Sequence, residues 1–161
     1  MSVDVSPGGR PLELAVFDAG DSVERAKNAA QRMVADEPDM VGATGAYLSS
    51  FTLAVTEVTE RARIPMLTLS YSDQITGRGF NHIFQTSAPG DYQAEHTLPL
   101  LMDMAERASG TRPKTIGIVM DNTAASVAFV SPIVNGNALA ENNLELVVNE
   151  VFTPPLANAR R

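Results

Sequence analysis

Thr115-Ile-Gly-Ile-Val-Met120, running straight into Asp121-Asn-Thr123, is the stretch on which the fold turns. A short apolar run bounded by polar turn residues reads as a buried strand. Asp-Asn-Thr is good material for capping a helix. The helix expected after it carries Val127, Phe129, Val130, Ile133 and Val134, weakened by Pro132 and Gly136. Leu144–Phe152 alternates as a last strand, and Pro154-Pro155 ends the pattern. Upstream, a helix over residues 91–108 puts Leu98, Leu101, Met102 and Ala105 on its inner face, with Pro99 kinking it or marking its effective start.

The same alternation extends to the other end of the chain. Leu12–Phe17 reads as a strand, and Asp21 or Ser22 caps a helix, with Glu24 placed for a capping box. That helix presents Val23, Ala26, Ala30, Met33 and Val34 on one face. Met40–Ala43 is expected as a short buried strand, and Ser49-Ser50 as the cap of a helix with Phe51, Ala54, Val55, Val58 and Ala62 on one face. Ile64–Thr68 and His82–Gln85 are the next strands, separated by a loop over residues 70–79. Strands alternating with helices over short connections predict an α/β fold, a doubly wound, Rossmann-like parallel sheet. Ligands of such sheets sit at the carboxyl ends of the strands.

The chain has 161 residues, 12 basic against 19 acidic, for a formal net charge of −7. That balance argues against a general nucleic-acid binder, which needs clustered Lys and Arg. With no Cys there are no disulfides, thiolate metal sites or Cys nucleophiles. The opening Met-Ser-Val-Asp-Val-Ser lacks the basic and apolar regions of a secretory signal, and no apolar run is long enough to span a membrane.

The most suggestive loop is Gly42-Ala-Thr-Gly-Ala-Tyr-Leu-Ser-Ser50. Its glycines let backbone approach a ligand, and a serine at a helix N-terminus suits a carboxylate or phosphate. The plainer reading is a strand-to-helix turn with a serine cap. No Gly-Lys-Ser/Thr follows, so it is not a phosphate-binding P-loop. His82 and His96 fall on different elements without carboxylates at ligand spacing, so no metal site is expected. Asp18 and Asp21 read as turn and cap residues, and Asp121-Asn122-Thr123 as a cap that also stands where a ligand would pass. No Ser-His-Asp set and no nucleophile elbow is present. No enzyme activity and no cofactor are expected.

Several strings together resemble a known family. They are Gly9-Arg-Pro-Leu-Glu-Leu-Ala-Val-Phe-Asp18, the Ala-rich Ala26–Val34, Gly45–Ser50, Ala62-Arg-Ile-Pro-Met-Leu-Thr68, Gly79-Phe-Asn-His-Ile-Phe-Gln-Thr86 and Thr115–Asp121. The chain is similar to type I periplasmic solute-binding proteins of the branched-chain amino-acid (Leu/Ile/Val) ABC transporter class. The resemblance implies two α/β lobes closing on a ligand. Residues 1–86 would form the first lobe without its usual first strand and helix, 87–90 a crossover, and 91–161 part of the second lobe. Ser2–Ser6 substitutes poorly for that missing strand, so the chain is expected to be a fragment and an incomplete binding unit.

The resemblance also implies ligand-binding residues. Ser49, with Ser50 as its close alternative, would hold a ligand carboxylate. Ser70 and Ser72, with Tyr71 between them, would give a backbone carbonyl to an ammonium and a hydroxyl to the carboxylate. Asn122 and Ala125 lie in the loop where the family carries an aromatic residue. Ala125 in its place leaves room for a larger, aromatic ligand. The implied function is the substrate-binding component of an ABC transporter, or a fragment of one, taking an amino acid or an aromatic or aliphatic carboxylate. Its partner would be an ABC permease when full length, with a homodimer left open, and its location periplasmic. A ligand-sensing regulatory domain of the same fold is the alternative, and a flavodoxin-like or hydrolytic enzyme the second.

Overall fold

A computed structural model describes residues 2–3 and 7–155. Its elements run β1 (Ser2–Val3), β2 (Leu12–Glu13), α1 (Val23–Asp36), β3 (Ala43–Thr44), α2 (Ser49–Arg61), β4 (Met66–Thr68), α3 (Gln74–Gly77), β5 (Ile83–Gln85), α4 (Gly90–Ser109), β6 (Thr115–Asp121), α5 (Ala124–Asn135), α6 (Ala138–Glu141) and β7 (Glu145–Phe152). Strands β3, β4 and β5 form one parallel sheet in that order, and β6 pairs with β7 in a second parallel sheet. The α/β class with parallel sheets is therefore as the alternation implies.

Two hydrophobic clusters underlie the two sheets. One gathers Ala26, Ala30, Val55, Val58, Met66, Ile75 and Ile83 between α1, α2 and the β4–β5 strands. The other gathers Ala94, Leu98, Met102, Ile118, Ile133 and Leu144. Small residues on α1 let it approach α2 closely, and each large apolar side chain buried contributes about 1.5–3 kcal/mol. Arg78 fastens the segment after α3 to α2. Its guanidinium donates to the Leu53 carbonyl at 3.0 Å and to Thr56 Oγ1 at 2.5 Å, over the Phe80 ring.

Several elements differ from the sequence reading. The Leu12–Phe17 strand shrinks to Leu12–Glu13, which pairs antiparallel with Ser2–Val3. Past Glu13 no described strand lies alongside, and Val16 is 79 % exposed. The Met40–Ala43 strand moves to Ala43–Thr44, with Val41 in solvent. Thr115–Asp121 is a strand but not buried on both faces. In a sheet of β6 and β7 alone, Ile118 is buried, Ile116 and Met120 pack half-buried against the same cluster, and Val119 stands out. On α4 the buried stripe is Ala94, Leu98 and Met102, an i, i+4, i+8 row, which turns Leu101 off the face. The α1 cap is Ser22, whose Oγ accepts from the Arg25 amide, and Asp21 pairs with the Arg25 side chain. Val23 is exposed just past that cap.

The two histidines have structural partners. His96 stacks on Tyr92. His82 anchors the start of β5 on Glu60, whose carboxylate accepts from the Asn81 amide at 3.0 Å, the His82 amide at 2.9 Å and contacts His82 Nδ1 at 3.2 Å. These bonds, the Asn81 amide first, hold the Glu60 carboxyl below its ordinary 4.5. A lowered folded-state value means the stabilisation is full above the unfolded value and is lost as pH falls through the folded one. Glu60→Gln is expected to lower stability near neutral pH and to flatten its decline below pH 4.5, measured by urea unfolding across that range. A parallel decline in both proteins would contradict the anchor.

Candidate functional site

The carboxyl end of β4 and the start of α2 meet at a buried polar corner. Ser49 is the first residue of α2, with Leu48 in the cap position and no side-chain cap. Instead of capping its own helix, Ser49 Oγ accepts from the Ser72 amide at 3.3 Å. The Leu48 carbonyl takes the amides of Phe51 and Thr52, both at 2.9 Å. Among the described residues the amides of Ser49 and Ser50 have no backbone acceptor. They form the positive end of a helix long enough for its dipole to matter.

Ser72 is the telling residue. It is 1 % exposed, and its Oγ has no hydrogen-bond partner among the described residues. An unpaired buried hydroxyl is costly, and a native site of this kind invites a ligand atom. Ser72 also lines a cavity of about 480 Å³ together with Asp73, Ala124, Val127, Ala128 and Pro132. That cavity lies between the loop after β4 and α5.

Ser70 is buried too but fully engaged. Its Oγ lies 2.7 Å from the Tyr47 carbonyl, 2.9 Å from that of Ala46 and 2.6 Å from Thr52 Oγ1. The Ala46 carbonyl also accepts from the Thr52 hydroxyl. Ala46 has a φ of 52°, the left-handed turn that brings Gly45-Ala46-Tyr47 onto Ser70. Ser70 therefore braces the two loops against each other, and Ser50 stands half-buried beside Ser49.

Tyr71 turns the other way, into a cavity of about 460 Å³ with Asp121, Ser126, Phe129 and Phe152, running beside β6. Burial raises its phenol, and Tyr47 and Asp121 add to that. Asp121 is held below its ordinary value chiefly by the Thr123 hydroxyl, then by the Thr123 amide and the Ser126 hydroxyl. Asn122 is exposed and donates to Thr153 Oγ1 at 2.8 Å, so it closes the ends of β6 and β7. Ala125 is half-buried in the first turn of α5, between Ala124, which lines one cavity, and Ser126, which lines the other. The structure thus joins Ser49 to Ser72, sets Tyr71 beside Asp121, and leaves Asn122 apart.

Three contributors were not legible in the sequence: Tyr47, Thr52 and Gln85. Gln85 stands opposite Thr68 in the β4–β5 register, and its Nε2 donates to the Ser70 carbonyl at 2.9 Å and the Ser72 carbonyl at 3.3 Å. Only the parallel register carries that information. The start of α4 is tied to the same loop, because the Gly90 amide donates to the Tyr71 carbonyl at 2.7 Å and the Asp91 amide to Asp73 Oδ1 at 3.3 Å. Burial raises the Asp73 carboxyl.

Residues 4–159 match the family described as periplasmic binding proteins. A Leu/Ile/Val-binding protein homolog from Brucella abortus is 29 % identical over 125 residues, covering 73 % of this chain and 30 % of the relative. A branched-chain amino-acid transporter substrate-binding protein from Streptococcus pneumoniae, solved with isoleucine, superposes with a TM-score of 0.72 at 18 % identity, over 95 % of this chain and 41 % of that one. An ABC-transporter solute-binding protein from R. palustris, solved with 4-hydroxybenzoate, gives 0.73 at 20 % identity, over 95 % and 39 %. At such identities the superpositions establish the shared fold. The chain spans 30 % of the length of the curated relative and about 40 % of the solved ones. Among the described residues no helix is long and apolar enough to cross a membrane.

Proposed function

Since the chain belongs to the periplasmic binding protein family, we propose that it acts in the substrate-binding component of an ABC transporter, holding an amino acid or a related small carboxylate between two lobes. Residues 1–86 serve as the first lobe, 87–90 as a crossover and 91–161 as the beginning of the second. The separate clusters around Met66 and Leu98 support that division. Location in the periplasm and delivery to an ABC permease follow from the same reading. The work is reversible binding with hinge closure.

One observation carries the reading: the Ser72 hydroxyl, without a partner among the described residues and buried beside the amide end of α2. A carboxylate placed there gains the Ser72 O–H and the helix amides, all charge-assisted hydrogen bonds. Ser49 holds the Ser72 amide and so fixes the corner, while Ser50 adds a hydroxyl at its mouth. Ala124, Val127 and Ala128 on α5, across the cavity that Ser72 lines, face the rest of the ligand.

Amide NMR titration with a panel of small carboxylates tests this. The resonances of Ser49, Ser50 and Ser72 are expected to move and saturate. Ser72→Ala is expected to weaken binding by about tenfold or more, the loss of one hydrogen bond to a charged group. Shifts confined to residues far from this corner, or undiminished affinity in Ser72→Ala, would overturn the assignment.

A further inference from the structure

Helix α4 carries a second row of large side chains besides the one it buries. Ala94, Leu98 and Met102 face the core, while Tyr92, His96, Leu100 and Met104 repeat the same i, i+4 spacing on the solvent side. Leu100 is 61 % and Met104 64 % exposed. The Tyr92 and His96 rings stack with their centroids 3.9 Å apart, so the first half of the row is a flat aromatic platform. Arg107, exposed and three residues past Met104, continues the row into the last turn.

An outward helix face is ordinarily polar, and a contiguous apolar row in solvent marks a contact surface. The charges beside this row are unevenly engaged. Asp103 and Glu106 are both taken up by Arg112, at 2.7 and 3.1 Å. Arg107 pairs with no carboxylate among the described residues. The row therefore has aromatic rings at its N-terminal end, leucine at its middle, and a thioether and a free guanidinium at its C-terminal end.

Such a row complements itself when reversed. With a second α4 laid antiparallel about a two-fold axis at Leu100, that leucine meets the partner's Leu100 and His96 meets the partner's Met104. The Tyr92 end of the platform receives the partner's Arg107. Sulfur beside an aromatic ring and a guanidinium over one are both attractive contacts. A parallel pair would set Arg107 against the partner's Arg107, where like charges repel.

We propose that the outer face of α4 is a homotypic docking surface, on which a second copy of this chain packs antiparallel through Tyr92, His96, Leu100, Met104 and Arg107. None of these residues lines the cavity of Ser72, so the inference stands apart from the carboxylate reading. A contact of four helical turns is small, and the expected Kd is on the order of 100 μM.

Sedimentation equilibrium of the full chain, from about 10 μM to about 1 mM, is expected to show monomer and dimer in exchange. Leu100→Glu, a change at an exposed position, is expected to raise the Kd about tenfold or more while the amide NMR spectrum stays that of the folded chain. Monomer throughout the range, or a dimer that Leu100→Glu leaves intact, would overturn the proposal. Orientation is read by cross-linking, because the sequence contains no Cys to compete. His96→Cys and Met104→Cys variants are mixed in equal amounts and oxidised mildly. The mixed disulfide is expected well above the half that random pairing gives. Predominance of the two like pairs would overturn the antiparallel arrangement.

Discussion

Gly90→Val is expected to break the packing of α4 on α5. A Cβ at this position would lie 2.9 Å from both the carbonyl carbon and the Cβ of Ala128, and 3.0 Å from its oxygen. These are mostly backbone atoms of a neighbouring helix, so the clash is relieved only by separating the helices. Overpacking a tight contact typically costs about 1–3 kcal/mol, and the branched valine belongs at or beyond the top of that range. Gly90→Ala is expected within it. The lost contact also disturbs the Gly90 amide bond to Tyr71, so the damage reaches the loop after β4. Urea unfolding with amide NMR checks this: resonances of the cluster from Ala94 to Leu144 should collapse first. Unfolding of the valine variant within about 0.5 kcal/mol of the parent, the range of neutral surface changes, would contradict the contact.

The second large effect belongs to Ile75→Ala. Ile75 is fully buried in the cluster with Met66 and Ile83, and its amide bonds the Ser72 carbonyl at 3.1 Å. Removing its outer carbons leaves a cavity, and such changes cost about 2–5 kcal/mol. Two clusters that share no buried residue should respond separately. Ile75→Ala is therefore expected to lower hydrogen-exchange protection in α1, α2 and β4 while α4 and α5 hold theirs. Ligand binding should fall with it, because α3 is what seats Ser72. Uniform loss of protection across both clusters would show instead that they unfold as one unit.

These two sites differ in how far the sequence announces them. Ile75 lies in a stretch that reads as polar loop, residues 70–79, and nothing local marks it as core. It is buried because Arg78 and the Ser72 carbonyl wind the loop into α3 and fold it under α2. Gly90 stands in a Pro-Gly pair that reads as a chain break, and it instead opens a twenty-residue helix. Its importance comes from Ala128, a residue from another element.

The sequence by itself determined the order and type of most elements. The periodicity of α1, α2, α4 and α5, and the apolar runs of β4 to β7, are local properties. A helix face or a strand is written in residues a few positions apart. It also carried the family resemblance, through short strings spread along the chain. The tertiary structure alone decided burial and hydrogen-bond allocation. Leu101 and Val119 are exposed because of what lies beside them, and Leu12–Phe17 is mostly irregular because no described strand flanks it beyond Glu13. Ser49, Ser70 and Ser72 are alike as residues and are set apart by Tyr47, Thr52 and Gln85. Those partners come from other turns of the chain, brought in by the parallel register. A hydroxyl has one proton to place, and which serine keeps it free is settled only when every distant partner is in position.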